Sequence, residues 1–497
     1  MKRNHLSLRR KACVLSAFAV GVLLMSSCAQ DGFDEESWHS DVTNTTLESP
    51  AAEDITIEAS ADGSQTIISW PVVYGASGYH AVVSNLTAET VLVDSIIDGT
   101  TVVIPRVTDN LYEMQLTVIG NKDNGNSDGQ PVIKSFNSFI ESLATIPSGD
   151  LNAYFNENPV ATQDGDAVYD LEPGGNYTLT SPLNFGDQSV MLRSVADNAV
   201  ITCSDGAYFM FGNGIKLQNV NIDATGNTAD GLFVMSDTPN ANLSTEALGY
   251  KAKGANQDGY VMTNPVNFKN VNVKNLQKSL IYAGEVVNWS LTNLIIDGCM
   301  IQLDNEDNSS SVINLYKSGN GNGLIKNLAI SNSTFYNLKE NSKAYFIRYR
   351  NSSNAQPNKI FGTDETATLS ITHCTFANVF TGKDMANNMA NTALITTIMT
   401  DNIFYDVFRV YQFVQTNTVR TTTNNYIWWV KTSPQSNDTS RTDSAGNPIC
   451  TEADPGFTPI EELQPLDFSA VNLGADFTPS GIPADNMAGD PRWLSAN

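Results

Sequence analysis

One short pattern, present in seven copies, constrains this chain more than any other feature. It consists of an apolar residue, any residue, an Asn, Asp or His, two more residues, and a second apolar residue. The anchors are Leu217/Asn219/Ile222, Phe268/Asn270/Val273, Ile295/Asp297/Met300, Ile330/Asn332/Phe335, Ile371/His373/Phe376, Met399/Asp401/Phe404 and Thr422/Asn424/Ile427. The third positions lie 51, 27, 35, 41, 28 and 23 residues apart. Repeats of this length signal stacked units, each unable to bury its apolar face alone. Asn tolerates a left-handed backbone and bonds nearby main chain, so it suits a corner that recurs in every unit. The pattern predicts a parallel β-solenoid over residues 138–432, with the flanking apolar residues pointing into a shared core. The gap of 51 leaves room for a degenerate coil. Cys299 and Cys374 fall in the motif one position out of register with each other and are read as core residues, not a disulfide.

Composition narrows the class. Of 497 residues, 53 are Asp or Glu and 28 are Lys or Arg, a net charge of -25. An acidic chain lacks the basic footprint of a nucleic-acid binder. With 41% hydrophobic residues it has ample material for a core. Four histidines leave little for a His-based metal site or a Ser-His-Asp triad. Cys203, Cys299, Cys374 and Cys450 show no CxxC spacing, which argues against a zinc cluster.

The opening residues give an address. Lys2, Arg3, Arg9, Arg10 and Lys11 precede an apolar run from Ala12 to Met25, the layout of a signal peptide over 1–27. The run ends Leu24, Met25, Ser26, Ser27, Cys28, which resembles a bacterial lipobox with Cys28 as the lipidated residue. Asp31, Asp34, Glu35 and Glu36 follow, similar to the surface-export signal of Bacteroidota lipoproteins. The resemblance implies a body lipid-anchored to the outer membrane and facing the cell exterior. Losing the five leader cations would bring the net charge to -30. Residues 28–50 read as a flexible stalk.

Residues 51–137 alternate with period two around Ile57, Ile68, Val82 and Leu116, with Gly-rich turns between, which predicts a β-sandwich. Trp70, Gly78-Tyr79 and Tyr112 resemble the marks of a fibronectin type III module. Trp70 and Tyr112 are expected in the core, and His80 carries no chemistry. Asp150–Phe155 is expected to form a short capping helix. Residues 433–497, with Asp454, Phe457, Asp476, Gly489 and Trp493, are expected to cap the last open edge, which would otherwise invite pairing. This ending looks like the C-terminal segment of poorly characterised Bacteroidota β-helix lipoproteins. The fold class is therefore all-β: an Ig/fibronectin-III-like sandwich, then a right-handed parallel β-helix, then a cap.

The repeats resemble the pectate-lyase-like β-helix families, which include lyases, hydrolases and noncatalytic members. That resemblance implies a ligand lying along one parallel sheet. Four segments, around Ile281, Ile313, Ile347 and Val410, read as successive strands of such a sheet. With those residues inward, Tyr282, Asn314, Tyr316, Arg348, Arg350, Arg409 and Tyr411 face outward. Arg offers a planar fork for carboxylates and Tyr a flat face for a sugar ring. The alternative is an ordinary mix of surface residues. Trp428-Trp429 is a second candidate platform, with packing under the cap as the other reading. Asp304, Glu306 and Asp307 form an oxygen-rich loop suited to Ca²⁺, or simply a solvated acidic turn. No DxDxDG spacing strengthens the calcium reading.

Three functions follow as expectations. The first is a noncatalytic surface protein that binds polysaccharide, pectic or otherwise uronate-containing, beside a TonB-dependent transporter. The second is a polysaccharide lyase, with Arg348, Arg350 or Lys317 as base or carboxylate partner. The third is an adhesin with the solenoid as spacer. No facing pair of carboxylates stands out for a hydrolase.

Overall fold

The computed structural model describes residues 42–494 apart from 61–63, 89, 108 and 317–322. The signal-peptide reading, Cys28, His39 and Lys317 lie outside the described residues. The chain is mostly β and divides into two compact units, 1–140 and 141–497. No helix among the described residues is long and apolar enough to cross a membrane.

Among the described residues the first unit holds seven strands: β1 (Thr56–Ala59), β2 (Gln65–Ser69), β3 (Ala76–Asn85), β4 (Thr90–Ile97), β5 (Thr101–Pro105), β6 (Leu111–Gly120) and β7 (Val132–Asn137). They form two antiparallel sheets, ordered β1-β2-β5 and β4-β3-β6-β7. Every second residue of β3 and β6 is buried, as the period-two pattern requires. Ile68, Ile104, Tyr79, Val83, Tyr112 and Met114 from both sheets share one core. Trp70 and Tyr112 belong to it. The stalk expectation is corrected over its described part. Leu47 enters that core, and Asn44 and Leu47 donate backbone bonds to Asn124 and Ser127.

The second unit contains a 20-stranded and a 7-stranded sheet, and every strand pairing in them is parallel. Parallel neighbours need a crossover of a dozen residues or more. Here the crossover is itself made of strand. One circuit runs Ile325–Ser331, a corner at Asn332, Thr334–Asn337, then Ile347–Arg348, then back to Ala367–Thr372 beside the start. Stacked circuits therefore create a long double ladder and a short ladder around one interior. That interior is continuous from Ile146 to Cys450 and includes the files Phe185–Phe209–Phe233–Phe268 and Phe335–Phe376–Phe404.

The corner expectation holds in detail. Asn219, Asn270, Asn332, His373, Asp401 and Asn424 take φ between 50° and 60°. Their side chains link circuits: Asn270 Nδ2 donates to Asn219 Oδ1 at 3.2 Å and Asn424 Nδ2 to Asp401 Oδ1 at 2.7 Å. One copy is corrected. Phe268, Ile296 and Ile330 are in register, so the third position of that copy is Gly298 (φ 65°) and not Asp297. Asp297 still serves the column by accepting from Asn332 Nδ2 at 2.9 Å. Cys299 and Cys374 then occupy the same position, both buried and unpaired. The 51-residue gap hides no coil, because Leu217 pairs directly with Phe268 and the extra chain is a loop.

Gly298 gives a local test. A Cβ there would sit 2.5 Å from Asn270 Oδ1, on a backbone that L-residues reach at a cost of about 1–2 kcal/mol. Gly298→Ala is expected to lower the urea midpoint by an amount equivalent to about 1–2 kcal/mol or more. An unchanged midpoint would mean that the corner relaxes freely.

The N-terminal end carries the expected short helix, and the C-terminal end departs from a simple cap. Helix α1 (Leu151–Glu157) has Asp150 as its N-cap, accepting from Asn152 and Ala153, and sends Leu151 and Phe155 into the core. At the other end Thr451–Glu452 pairs with the last long-ladder strand, Tyr426–Trp428. The rest of the tail is not an end cap. It runs back across the ladder, burying Phe457, Leu466, Phe477 and Trp493 against Met300, Tyr336, Ile403 and Tyr405. Trp493 Nε1 and Asp490 Oδ2 both bond Thr334 Oγ1, and Arg492 Nη2 reaches Gly298 O at 2.8 Å.

Candidate functional site

The short ladder arises because each circuit contributes one apolar–polar step before its loop. Leu183, Phe209, Phe233, Ile281, Ile313, Ile347 and Ala386 stack inward and are buried. The residue after each stacks outward: Asn184, Met210, Val234, Tyr282, Asn314, Arg348 and Asn387. Three of the residues expected on the groove, Tyr282, Asn314 and Arg348, therefore stand on consecutive rungs. Rungs are about 4.8 Å apart, so Tyr282 and Arg348 are about 10 Å apart along the ladder.

A cleft of about 250 Å³ opens over these rungs, lined by Tyr282, Asn314, Tyr316 and Arg348 with Asp230, Glu285, Ser309 and Ser310. The Arg348 guanidinium lies 3.8 Å from the Tyr316 ring centre and that of Arg350 lies 4.4 Å from it. At least one face of Tyr316 is thus covered by guanidinium instead of being open to a sugar. Arg348 Nη1 donates a long bond of 3.4 Å to Ser309 O, and its Nε is buried without a partner. Burial holds the Arg348 pKa below the usual guanidinium value. Burial, then the charges of Glu285 and Asp230, pushes the Tyr282 hydroxyl up to about 12, so it stays protonated. Asn314 Oδ1 accepts from the Tyr316 backbone and fixes the turn that carries that ring.

Arg409 and Tyr411 do not join this row, which corrects the expectation of a fourth strand there. The segment forms a 3-10 turn, Val410–Gln412, and Arg409 adopts φ 29°. The Asp438 carboxylate captures the Tyr411 backbone N–H at 2.7 Å and so favours the turn over a ladder. Arg409 pairs with Asp384 at 3.4 Å, and Tyr411 is buried with Arg441 against its ring. The last rung is instead Ala386–Asn387.

The calcium candidates do not converge. Asp307 pairs with Lys343 at 2.8 Å and accepts from Ser342, Glu306 is exposed, and Asp304 is half-buried. Among the described residues no three His, Cys, Asp or Glu side chains group to hold a metal. Trp428 packs beneath the tail and Trp429 against the main core, so neither is an open platform. Sequence reasoning missed Asp230, Ser309 and Ser310, which sit on loops without periodicity. Glu285, three residues past Tyr282, was within reach of the same pattern.

The class defined so far is a mostly β protein with an antiparallel unit, a parallel two-ladder unit and a polar cleft on the short ladder. Residues 1–178 match a family described as a domain of unknown function, DUF4992, and residues 175–338 match a second domain of unknown function, DUF4957. The second match includes Tyr282, Asn314 and Tyr316 and ends before Arg348. No curated protein and no solved structure matches the chain.

Proposed function

We propose that the chain is a cell-surface lipoprotein, anchored through Cys28 to the outer membrane, whose short-ladder cleft binds polysaccharide beside a TonB-dependent importer. In this reading the second unit is a right-handed parallel β-helix of the pectate-lyase-like kind and the first is a fibronectin type III-like sandwich. The parallel pairing of every circuit supports the first assignment. Two observations support the second: the β1-β2-β5 and β4-β3-β6-β7 sheets, and the Tyr112 hydroxyl bonded to Val107 five residues upstream.

The observation that carries the binding reading is Arg348. Its guanidinium is oriented by Tyr316, aimed at a cleft, and retains a buried Nε–H with no acceptor. The guanidinium has five N–H donors and spends one on a long bond to Ser309 O at 3.4 Å, so an acceptor oxygen from a ligand is favoured at the cleft. Asp230 and Glu285 line the same cleft. They suit sugar hydroxyls and would repel a polymer charged at every residue. A glycan with interspersed acidic sugars fits better than a continuous polyuronate. The cleft is smaller than the roughly 300–1,000 Å³ of small-molecule sites, as expected if it encloses one piece of a longer polymer.

The lyase reading draws on the same arginine, since a lowered pKa is the direction a base needs. The test separates the two. Residues 29–497 are incubated with acidic and neutral polysaccharides, then followed by affinity-gel retardation and absorbance at 235 nm. Retardation without absorbance growth is expected. Arg348→Ala should weaken binding about 10- to 100-fold, the worth of a charge-assisted hydrogen bond. Growth at 235 nm would replace binding with elimination. No retardation by any glycan would leave the adhesin reading.

A further inference from the structure

A larger cleft, about 450 Å³, lies between the asparagine corner and the tail. It falls within the size range of small-molecule sites, about 300–1,000 Å³. Asn221, Asn272 and Gly298 line it from the ladder, and Phe468, Ala470 and Arg492 line it from the tail. The amides are already partly committed. Asn221 Oδ1 accepts from Asn198 Nδ2 at 2.9 Å and from Asn272 Nδ2 at 2.8 Å. That leaves Asn272 Oδ1, on a residue only 7% exposed, without a donor. Across the same cleft, Arg492 Nη1 is buried without a hydrogen-bond acceptor, its Nη2 being spent on Gly298 O.

One orphan needs a donor and the other an acceptor. A bare anion could satisfy Arg492 but never Asn272 Oδ1. A hydroxyl is both donor and acceptor, so a hydroxyl-rich ligand matches both kinds of unmet group. Charge points the same way. Arg492 Nη1 itself faces Asp490 Oδ2 at 3.9 Å, an ion pair too long to be a hydrogen bond, and Lys274, whose ammonium sits 4.8 Å from the Phe468 ring centre, is paired with Asp223 at 3.1 Å. The cations are offset, so the cleft presents amides, one guanidinium edge and an aromatic ring without a net cationic seat. The tail segment that shapes it is strained: Asn472 and Leu473 are consecutive left-handed residues at φ 51° and 57°, an arrangement that persists where the surroundings dictate it.

We propose that this corner cleft is a second carbohydrate site, distinct from the short-ladder cleft, which takes a neutral, hydroxyl-rich saccharide. Residues of the tail form half of it, so the tail is a binding element as well as a packing one.

Isothermal titration of the full chain with cellohexaose, mannohexaose, maltohexaose and a hexameric oligogalacturonate tests the assignment. Ala470→Trp fills the cleft without removing any hydrogen bond, and Phe468→Ala removes its ring. A thermal midpoint close to that of the parent is required of both. The expected result is that a neutral hexasaccharide binds, that both variants weaken it at least tenfold, and that Arg348→Ala leaves it unchanged. Binding that disappears in Arg348→Ala but persists in Ala470→Trp would overturn the proposal. Silence of all three neutral hexasaccharides would also overturn it. Failure of the short-ladder reading would register separately, as an Arg348→Ala variant that binds every glycan like the parent.

Discussion

Phe376→Ala is expected to lower the unfolding free energy by about 3–5 kcal/mol, the usual cost of deleting a fully buried ring. The residue is completely buried and sits where two files of rings meet. It stacks between Phe335 and Phe404 at centroid distances of 5.3 and 5.2 Å, and Phe346 meets its edge at 5.1 Å. The hole cannot close easily, because its walls belong to three successive circuits held in register by backbone ladders. Urea unfolding followed by circular dichroism gives the change directly, provided the m-value is unchanged. Because each circuit touches mainly its neighbours, hydrogen exchange should accelerate most around Phe335, Phe376 and Phe404. A loss below about 1 kcal/mol would mean that the rings do not form one packed core.

The fold was legible where a single residue type had a single physical task. A corner that needs a left-handed backbone selects Asn, Asp or His at one position of each circuit. The column from Asn219 to Asn424 could therefore be found without alignment. The slip at Ile295 came from the same rule. Gly298 meets the left-handed requirement better than Asp297, yet Asp297 looks like the motif. The three corners before Asn219 escaped the pattern because they turn differently, through Pro147–Ser148, Glu172–Gly175 and Val195–Asn198, with no left-handed Asn. The tail was misjudged for a deeper reason. Its aromatic residues have no period, and nothing local distinguishes an end cap from a strap lying along the ladder.

The site was legible only as far as alternation reached. Tyr282, Asn314 and Arg348 follow an inward Ile in each case, so period two placed them on one row. The same reasoning failed at Arg409 and Tyr411. Phe408–Phe413 alternates as well as its predecessors, but a long-range partner, Asp438, holds its amides in a turn. Alternation records what a segment can do as a strand, not which acceptor elsewhere in the chain competes for its backbone.

That competitor makes the second large prediction. Asp438 is fully buried in the short helix α3 (Ser436–Ser440), the earlier helix α2 being Pro357–Ile360. Its Oδ1 accepts from the Tyr411 N–H, while Oδ2 has no partner. Burial pushes its pKa up to about 7 from the ordinary 3.8; the Tyr411 and Val410 amides and Arg441 pull down against that, and Asp384 adds to it. The folded state therefore holds this proton more tightly than the unfolded state does. The stability Asp438 contributes is fully present below about pH 3.8 and is lost as pH rises through about 7, after which the deficit is constant. A rise of roughly three pKa units corresponds to at most about 4 kcal/mol. Asp438→Asn keeps the acceptor for the turn and abolishes the charge, but gives Oδ2's place to a donor with nothing to bond, at a cost of about 1–3 kcal/mol. The variant is thus expected to be more stable than the parent at pH 8, by about 1–3 kcal/mol. At pH 4 the advantage should vanish or reverse. Titrations elsewhere are common to both proteins, so the difference between their urea midpoints from pH 4 to 8 isolates this carboxyl. A difference that is flat across that range, or a variant less stable at pH 8, would show that Asp438 is ionised at little cost and that the turn it holds is not bound to its protonation.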